Sequence, residues 1–154
     1  MHDGKEEYIA IGLSIYNDGL VVNTESSTEE GDRFLDQTLR AVTKEFDLIY
    51  PENVRRKFYY NEMDIRLDRP IKLLNPKLEQ LANVISELRK GPTVTFEFSG
   101  VSYLSEPAAQ STTIGVVIER KVGTEWSENR YWTRAPLETA SHIKLLENLE
   151  AILA

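Results

Sequence analysis

Phe58-Tyr59-Tyr60-Asn61-Glu62-Met63-Asp64-Ile65-Arg66-Leu67-Asp68 alternates charged and apolar residues from Glu62 onward. Successive side chains of a strand point to opposite sides, so this alternation predicts a strand whose Met63, Ile65 and Leu67 face a core. Phe58, Tyr60, Glu62, Asp64 and Arg66 then share the other face, and a binding or catalytic surface would have to lie there.

The flanking sequence extends this pattern in both directions. Upstream, Ile9, Ile11, Leu13 and Ile15 fall on one face of a strand, and Asn17-Asp18-Gly19 turns the chain into Leu20-Val21-Val22, which predicts a β-hairpin. Overlapping capping boxes, Ser26 with Glu29 and Ser27 with Glu30, start a helix with the apolar stripe Leu35, Leu39, Val42 and Phe46, and Pro51 forbids its continuation. Downstream, Asn75 as N-cap and Pro76 at the first helical position open a second helix lined by Leu78, Leu81, Ala82, Ile85 and Leu88. Gly91-Pro92 stops it. Val94, Phe96 and Phe98 alternate as another strand closed by Gly100, and Val101 to Gln110 reads as a lengthy loop or a short strand broken at Glu106-Pro107. A second hairpin runs from Thr112 through Ile114, Val116 and Ile118, turns at Val122-Gly123-Thr124 and returns through Tyr131-Trp132. A third helix spans Pro136 to Ala154, striped by Ile143, Leu146, Leu149, Ile152 and Leu153.

Hairpins near both ends favour antiparallel or mixed pairing over regular βαβ winding. The expected fold is α+β: a two-layer sandwich with an antiparallel or mixed sheet of about five to seven strands and three helices packed mainly on one face. No linker or composition shift divides the 154 residues, so one domain over 1–154 is expected, with residues 1–6 flexible.

Composition narrows the function classes. The chain has 41% hydrophobic and 28% charged residues, the balance of a globular protein. It has no cysteine, which removes disulfides, thiolate catalysis and Cys-based zinc sites together and fits a reducing compartment. The N-terminus lacks the basic start and apolar core of a signal peptide, and the apolar stretch Tyr8 to Tyr16 is too short to span a bilayer, so a soluble cytoplasmic protein without membrane attachment is expected. A net charge of −7, from 25 acids and 18 bases, argues against a nucleic-acid partner, whose phosphates call for clustered Lys and Arg. It suits a protein partner, plausibly basic, reached by electrostatic steering. Monomer and homodimer are both compatible with the helix stripes.

No decisive catalytic signature is present. Glu62, Asp64, Glu97 and Glu119 could converge on the outer sheet face as a divalent-metal site or an acid and base pair, but Arg66, Lys121 and Arg130 are available as their ion-pair partners. Glu119-Arg120-Lys121 resembles the E-x-K fragment of metal-dependent nucleases of the restriction-endonuclease type; the Pro-Asp pair that usually accompanies it does not occur here, and the acidic charge also counts against it. The histidines are only His2 and His142, and Ser141 beside His142 diverges from it by about 100° on a helix, so the two make no nucleophile and base pair. His142 is expected on the helix surface or its boundary. Neither a dinucleotide nor a phosphate-loop glycine pattern is present, and no cofactor is implied. The remaining candidates are aromatic: if Trp132 lies outward with Phe58 and Tyr60, they form with Glu62 and Asp64 an amphipathic surface of the kind used for partner binding; the alternative is that the large rings cover the sheet edge or fill the core. The sequence therefore favours a non-catalytic protein-interaction domain, such as an acidic inhibitor, an immunity-type protein or an assembly module. The alternative is a metal-dependent or carboxylate-based hydrolase.

Overall fold

The structure, a computed structural model, describes residues 9–47, 49, 56–89, 94–105 and 115–154. Residues 1–6 and the stops expected at Pro51, Gly91-Pro92 and Glu106-Pro107 lie outside them. The chain divides into two compact units, Met1–Tyr59 and Tyr60–Ala154.

In the first unit, β1 (Ile11–Tyr16) and β2 (Gly19–Thr24) form the expected antiparallel hairpin, with Leu13 opposite Val22. Helix α1 (Thr28–Glu45) starts at Ser27, whose hydroxyl accepts from the Glu30 N–H at 3.2 Å; of the two overlapping boxes, the second supplies the cap. Gly31 in the first turn is buried, and a Cβ there would rest 3.5 Å from Val22 and 3.7 Å from Thr24. A methyl group would make ordinary contact there, so the helix lies against β2 without requiring a glycine. Leu35 and Leu39 are half-buried, while Val42 and Phe46 are exposed at the far end of the stripe. Tyr59 donates to Asp32 at 2.9 Å and Lys57 pairs with the same carboxylate at 2.8 Å, fastening the returning chain to α1.

The second unit holds a four-stranded antiparallel sheet in the order β3-β6-β5-β4, built from β3 (Asn61–Arg66), β4 (Gly100–Tyr103), β5 (Val116–Arg120) and β6 (Arg130–Ala135). One face carries Met63 and Ile65 beside Tyr131 and Thr133, then Ile118 and Val101. Leu146, Leu149 and Leu153 of α3 (Thr139–Leu153) close over that face, together with Leu67 and Ile71. Full burial of each aliphatic side chain in this cluster contributes about 1.5–3 kcal/mol. Helix α2 (Pro76–Leu88) begins as expected, with Asn75 accepting from the Lys77 N–H and Pro76 in the first turn, and it follows a 3₁₀ turn at Ile71–Leu74.

The α+β class with three helices is thus observed. A single sheet of five to seven strands is not confirmed: the six described strands form sheets of two and four, and α1 covers the hairpin while α3 covers the larger sheet. The strand expected over Val94 to Ser99 is displaced. No strand is assigned there; Phe96 N–H donates to the Ser86 hydroxyl of α2 at 3.0 Å, and pairing starts at Gly100 instead. Gly100 opens β4 because the backbone of β5 comes too close for a side chain: a Cβ would strike the Ile118 carbonyl and lie 2.9 Å from the Glu119 Cα. The α3 stripe is also rotated from the expected one. His142, Leu146, Leu149 and Leu153 are buried, whereas Ile143 and Ile152 are exposed. The cause is a buried histidine that takes an apolar position. Among the described residues, no helix is long and apolar enough to cross a membrane.

Gly100→Ala is expected to destabilise the second unit by about 1–3 kcal/mol, since β4 must move away from β5 to admit the methyl group. Urea denaturation followed by tryptophan fluorescence checks this; an unchanged midpoint would show that the strand edge yields freely.

Candidate functional site

The alternation that predicted β3 holds. Glu62, Asp64 and Arg66 are exposed, Met63 and Ile65 half-buried and Leu67 buried. Pairing with β6 sets Glu62 opposite Arg134, Asp64 opposite Trp132 and Arg66 opposite Arg130, and pairing with β5 sets Trp132 opposite Glu119. Tyr60, one residue before β3, shares this outer side. The Arg134 guanidinium lies 5.8 Å from the Tyr60 ring centre and 5.5 Å from that of Trp132, and it donates to the Tyr60 hydroxyl at 3.4 Å. Arg134 is therefore held between two rings by cation–π attraction, which sequence spacing alone did not show. Its Nε is buried without an acceptor among the described residues. Phe58 is exposed but belongs to the first unit.

The four acidic candidates are not gathered. Asp64 forms an ion pair with Lys121. Glu97 lies away from β3, 3.9 Å from Lys72, which also meets Glu79 at 3.2 Å. Glu119 is separated from Asp64 by the whole width of β6. Among the described residues, no three acidic or histidine side chains are grouped to hold a metal ion.

The other aromatic residues of the last hairpin have separate roles. Tyr131 is a core residue whose hydroxyl accepts from the Ile71 N–H at 3.0 Å. Trp126 is partly exposed and stacks under Arg120, whose guanidinium is 4.2 Å from the ring centre. Arg120 also donates to the carbonyls of Thr124 at 2.9 Å and Trp126 at 3.2 Å. These residues border a half-open cleft of about 330 Å³ that also reaches Lys72, Glu97 and Phe98. Sequence reasoning missed this cleft, because it joins a strand end, a 3₁₀ turn and the segment before β4. In it Lys72 stands 3.9 Å from Glu97, and Arg120 is held by backbone carbonyls.

His142 is not at the surface. It is fully buried, with Nδ1 3.1 Å from Asn61 Oδ1 and Nε2 3.1 Å from Thr133 Oγ1. Asn61 donates its amide N–H to Thr139 Oγ1 at 2.7 Å, which turns Oδ1 toward the ring. Asn61 Oδ1 can only accept, so Nδ1 carries the proton toward it; Thr133 Oγ1 faces Nε2 and is also the donor to the Met63 carbonyl at 3.3 Å. Burial lowers the histidine pKa from its ordinary 6.5 by penalising the charged form, so the ring is neutral at pH 7 and closed to solvent. It acts as a structural pin.

Comparison with known protein families, curated proteins and solved structures finds no match for the chain.

A pH dependence follows from the buried ring. Below about pH 6.5 the unfolded chain protonates this histidine while the native state resists, so stability present at neutral pH is lost as the pH falls, until the native pKa is passed. Its slope is at most about 1.4 kcal/mol per pH unit. His142→Gln, which cannot titrate, is expected to flatten this part of the profile relative to the parent chain. Urea denaturation at a series of pH values checks it, and identical profiles would contradict the assignment.

Proposed function

We propose that this chain is a non-catalytic protein-interaction domain that binds its partner through the outer face of the four-stranded sheet, around Tyr60, Glu62, Asp64 and Trp132. The observation that carries the reading is the Tyr60–Arg134–Trp132 stack. Tyrosine, tryptophan and arginine are the residue types most enriched among the few side chains that dominate binding energy at protein interfaces. Here they adjoin one another on a sheet face that α3 does not cover. The stacked arginine has no ion-pair partner among the described residues, and its Nε lacks an acceptor. Stacking limits the rotamer freedom that a flexible arginine would lose on binding, which lowers the cost of ordering it in a complex. An inhibitor, an immunity-type protein or an assembly module would each use such a face without chemistry of its own.

The reading is tested by site-specific photocrosslinking in the native host. A benzophenone amino acid replacing Tyr60 is expected to yield a discrete protein adduct, whereas one replacing the exposed Ile152 of α3 gives none. Trp132→Ala is expected to weaken binding of the captured partner by about 2 kcal/mol, roughly thirtyfold. Equal crosslinking at both positions, or no adduct at Tyr60, would overturn the proposal.

A further inference from the structure

Opposed residues of adjacent strands share a side, so the outer face can be followed in rows across the sheet. One row is Glu62, Arg134, Val117 and Ser102, and the next is Asp64, Trp132, Glu119 and Gly100. The row after these begins with Arg66 opposite Arg130. Lys121 continues it one residue beyond β5, where its N–H donates to the Arg130 carbonyl at 2.9 Å and its ammonium group reaches Asp64. Three cations thus stand side by side on neighbouring strands of a chain whose net charge is −7.

Like charges directly opposite one another destabilise a sheet, so the row costs the fold stability. Asp64 answers Lys121, but among the described residues neither Arg66 nor Arg130 has an ion-pair partner, and both are exposed. The unpaired cations of this row are therefore the two arginines, one row away from Trp132, whose own row carries Glu119.

Building on the protein-binding reading above, we infer that the Arg66–Arg130 pair and Trp132 receive an extended acidic segment of the partner polypeptide, carboxylates on the arginines and an apolar or aromatic side chain on the indole. The basic partner expected from net charge is not the one this row fits. A peptide suits the face better than a nucleic acid does. Glu119 shares the row of Trp132 and Glu62 stands in the row beyond it, where a continuous phosphate backbone would meet them, whereas a peptide can place its carboxylates singly.

The test is titration of the ¹⁵N-labelled full chain with a synthetic peptide of alternating Glu and Tyr, followed by amide and indole shifts and by fluorescence anisotropy. Saturable shifts are expected at Arg66, Arg130 and the Trp132 indole, with affinity falling at least about tenfold in Arg66→Gln/Arg130→Gln. Affinity should also fall steeply in about 0.3 M salt. The double variant is expected to melt no lower than the parent, because a like-charge contact is removed. Unchanged affinity in that variant, no binding at millimolar peptide, shifts confined to another face, or tighter binding of an oligothymidylate of equal charge would overturn the inference. A captured partner that depends on Trp132 but is indifferent to the double variant would remove the acidic assignment and leave the protein-binding face. Peptide binding as expected with no adduct at Tyr60 would do the reverse.

Discussion

The second unit depends on one buried imidazole. His142 of α3 reaches Asn61 of β3 through one ring nitrogen and Thr133 of β6 through the other, so a single side chain joins the helix to two adjacent strands. Both bonds exist in only one register. Because side chains alternate along a strand, a slip of one residue between β3 and β6 would turn a polar partner to the outer face and leave a ring nitrogen unsatisfied in the interior. An unmet buried polar group costs about 1–3 kcal/mol, a large share of the stability of a domain this size. Apolar packing of Leu146 and Leu149 on Tyr131 and Ile118 supplies most of the driving force, and the same slip would turn Met63 and Ile65 away from that core. Packing and the hydrogen-bonded ring therefore select the same register.

The same register arranges the outer face. Once Asn61 is opposite Ala135, Asp64 must stand opposite Trp132 and Arg66 opposite Arg130. Tyr60, one residue upstream, is brought alongside Arg134. The binding surface proposed above is therefore a geometric consequence of the interior polar network. Core and surface share one strand pair, and whatever holds Asn61 inward holds Tyr60, Glu62 and Asp64 outward.

How much of this was legible in the sequence follows from the range of each signal. Alternation over Glu62 to Leu67 and the caps at Ser27 and Asn75 are local, and the elements form where they predict. Val94 to Ser99 alternates just as clearly, yet forms no strand, because pairing also needs a neighbour at ladder distance, and the backbone first meets β5 at the end of this stretch, where the Ser99 carbonyl accepts from the Arg120 N–H at 2.8 Å. The α3 stripe was misread for a chemical reason: histidine was counted as polar and therefore outward, whereas here two hydrogen bonds make it a core residue. Division into two sheets was hidden because strand order is a property of pairing partners far apart in the chain. That Tyr60 shares a face with Glu62 and Asp64 could be read from parity; that Trp132 and Arg134 join them could not, since that required the register of β6 on β3.

The sign of the surface illustrates the same limit with greater consequence. Net charge sums over every residue and is indifferent to place, so −7 suggests a uniformly acidic protein. A bound partner responds instead to the charges within about a Debye length, roughly 8 Å at physiological salt. On the outer face the carboxylates of Glu62, Asp64 and Glu119 are interleaved with Arg66, Arg130 and Arg134, and one carboxylate is already matched by Lys121. The local balance is set by which charges are left over after pairing: Glu119 in the row of Trp132, and Arg66 and Arg130 in the row at the Lys121 end. On the reading proposed above, the overall charge of −7 disfavours polyanions at a distance, while one small surface takes an acidic segment. Specificity then comes from the contrast between the distant and the near field: a highly charged polymer feels the first, and a short acidic segment docked beside an indole feels the second.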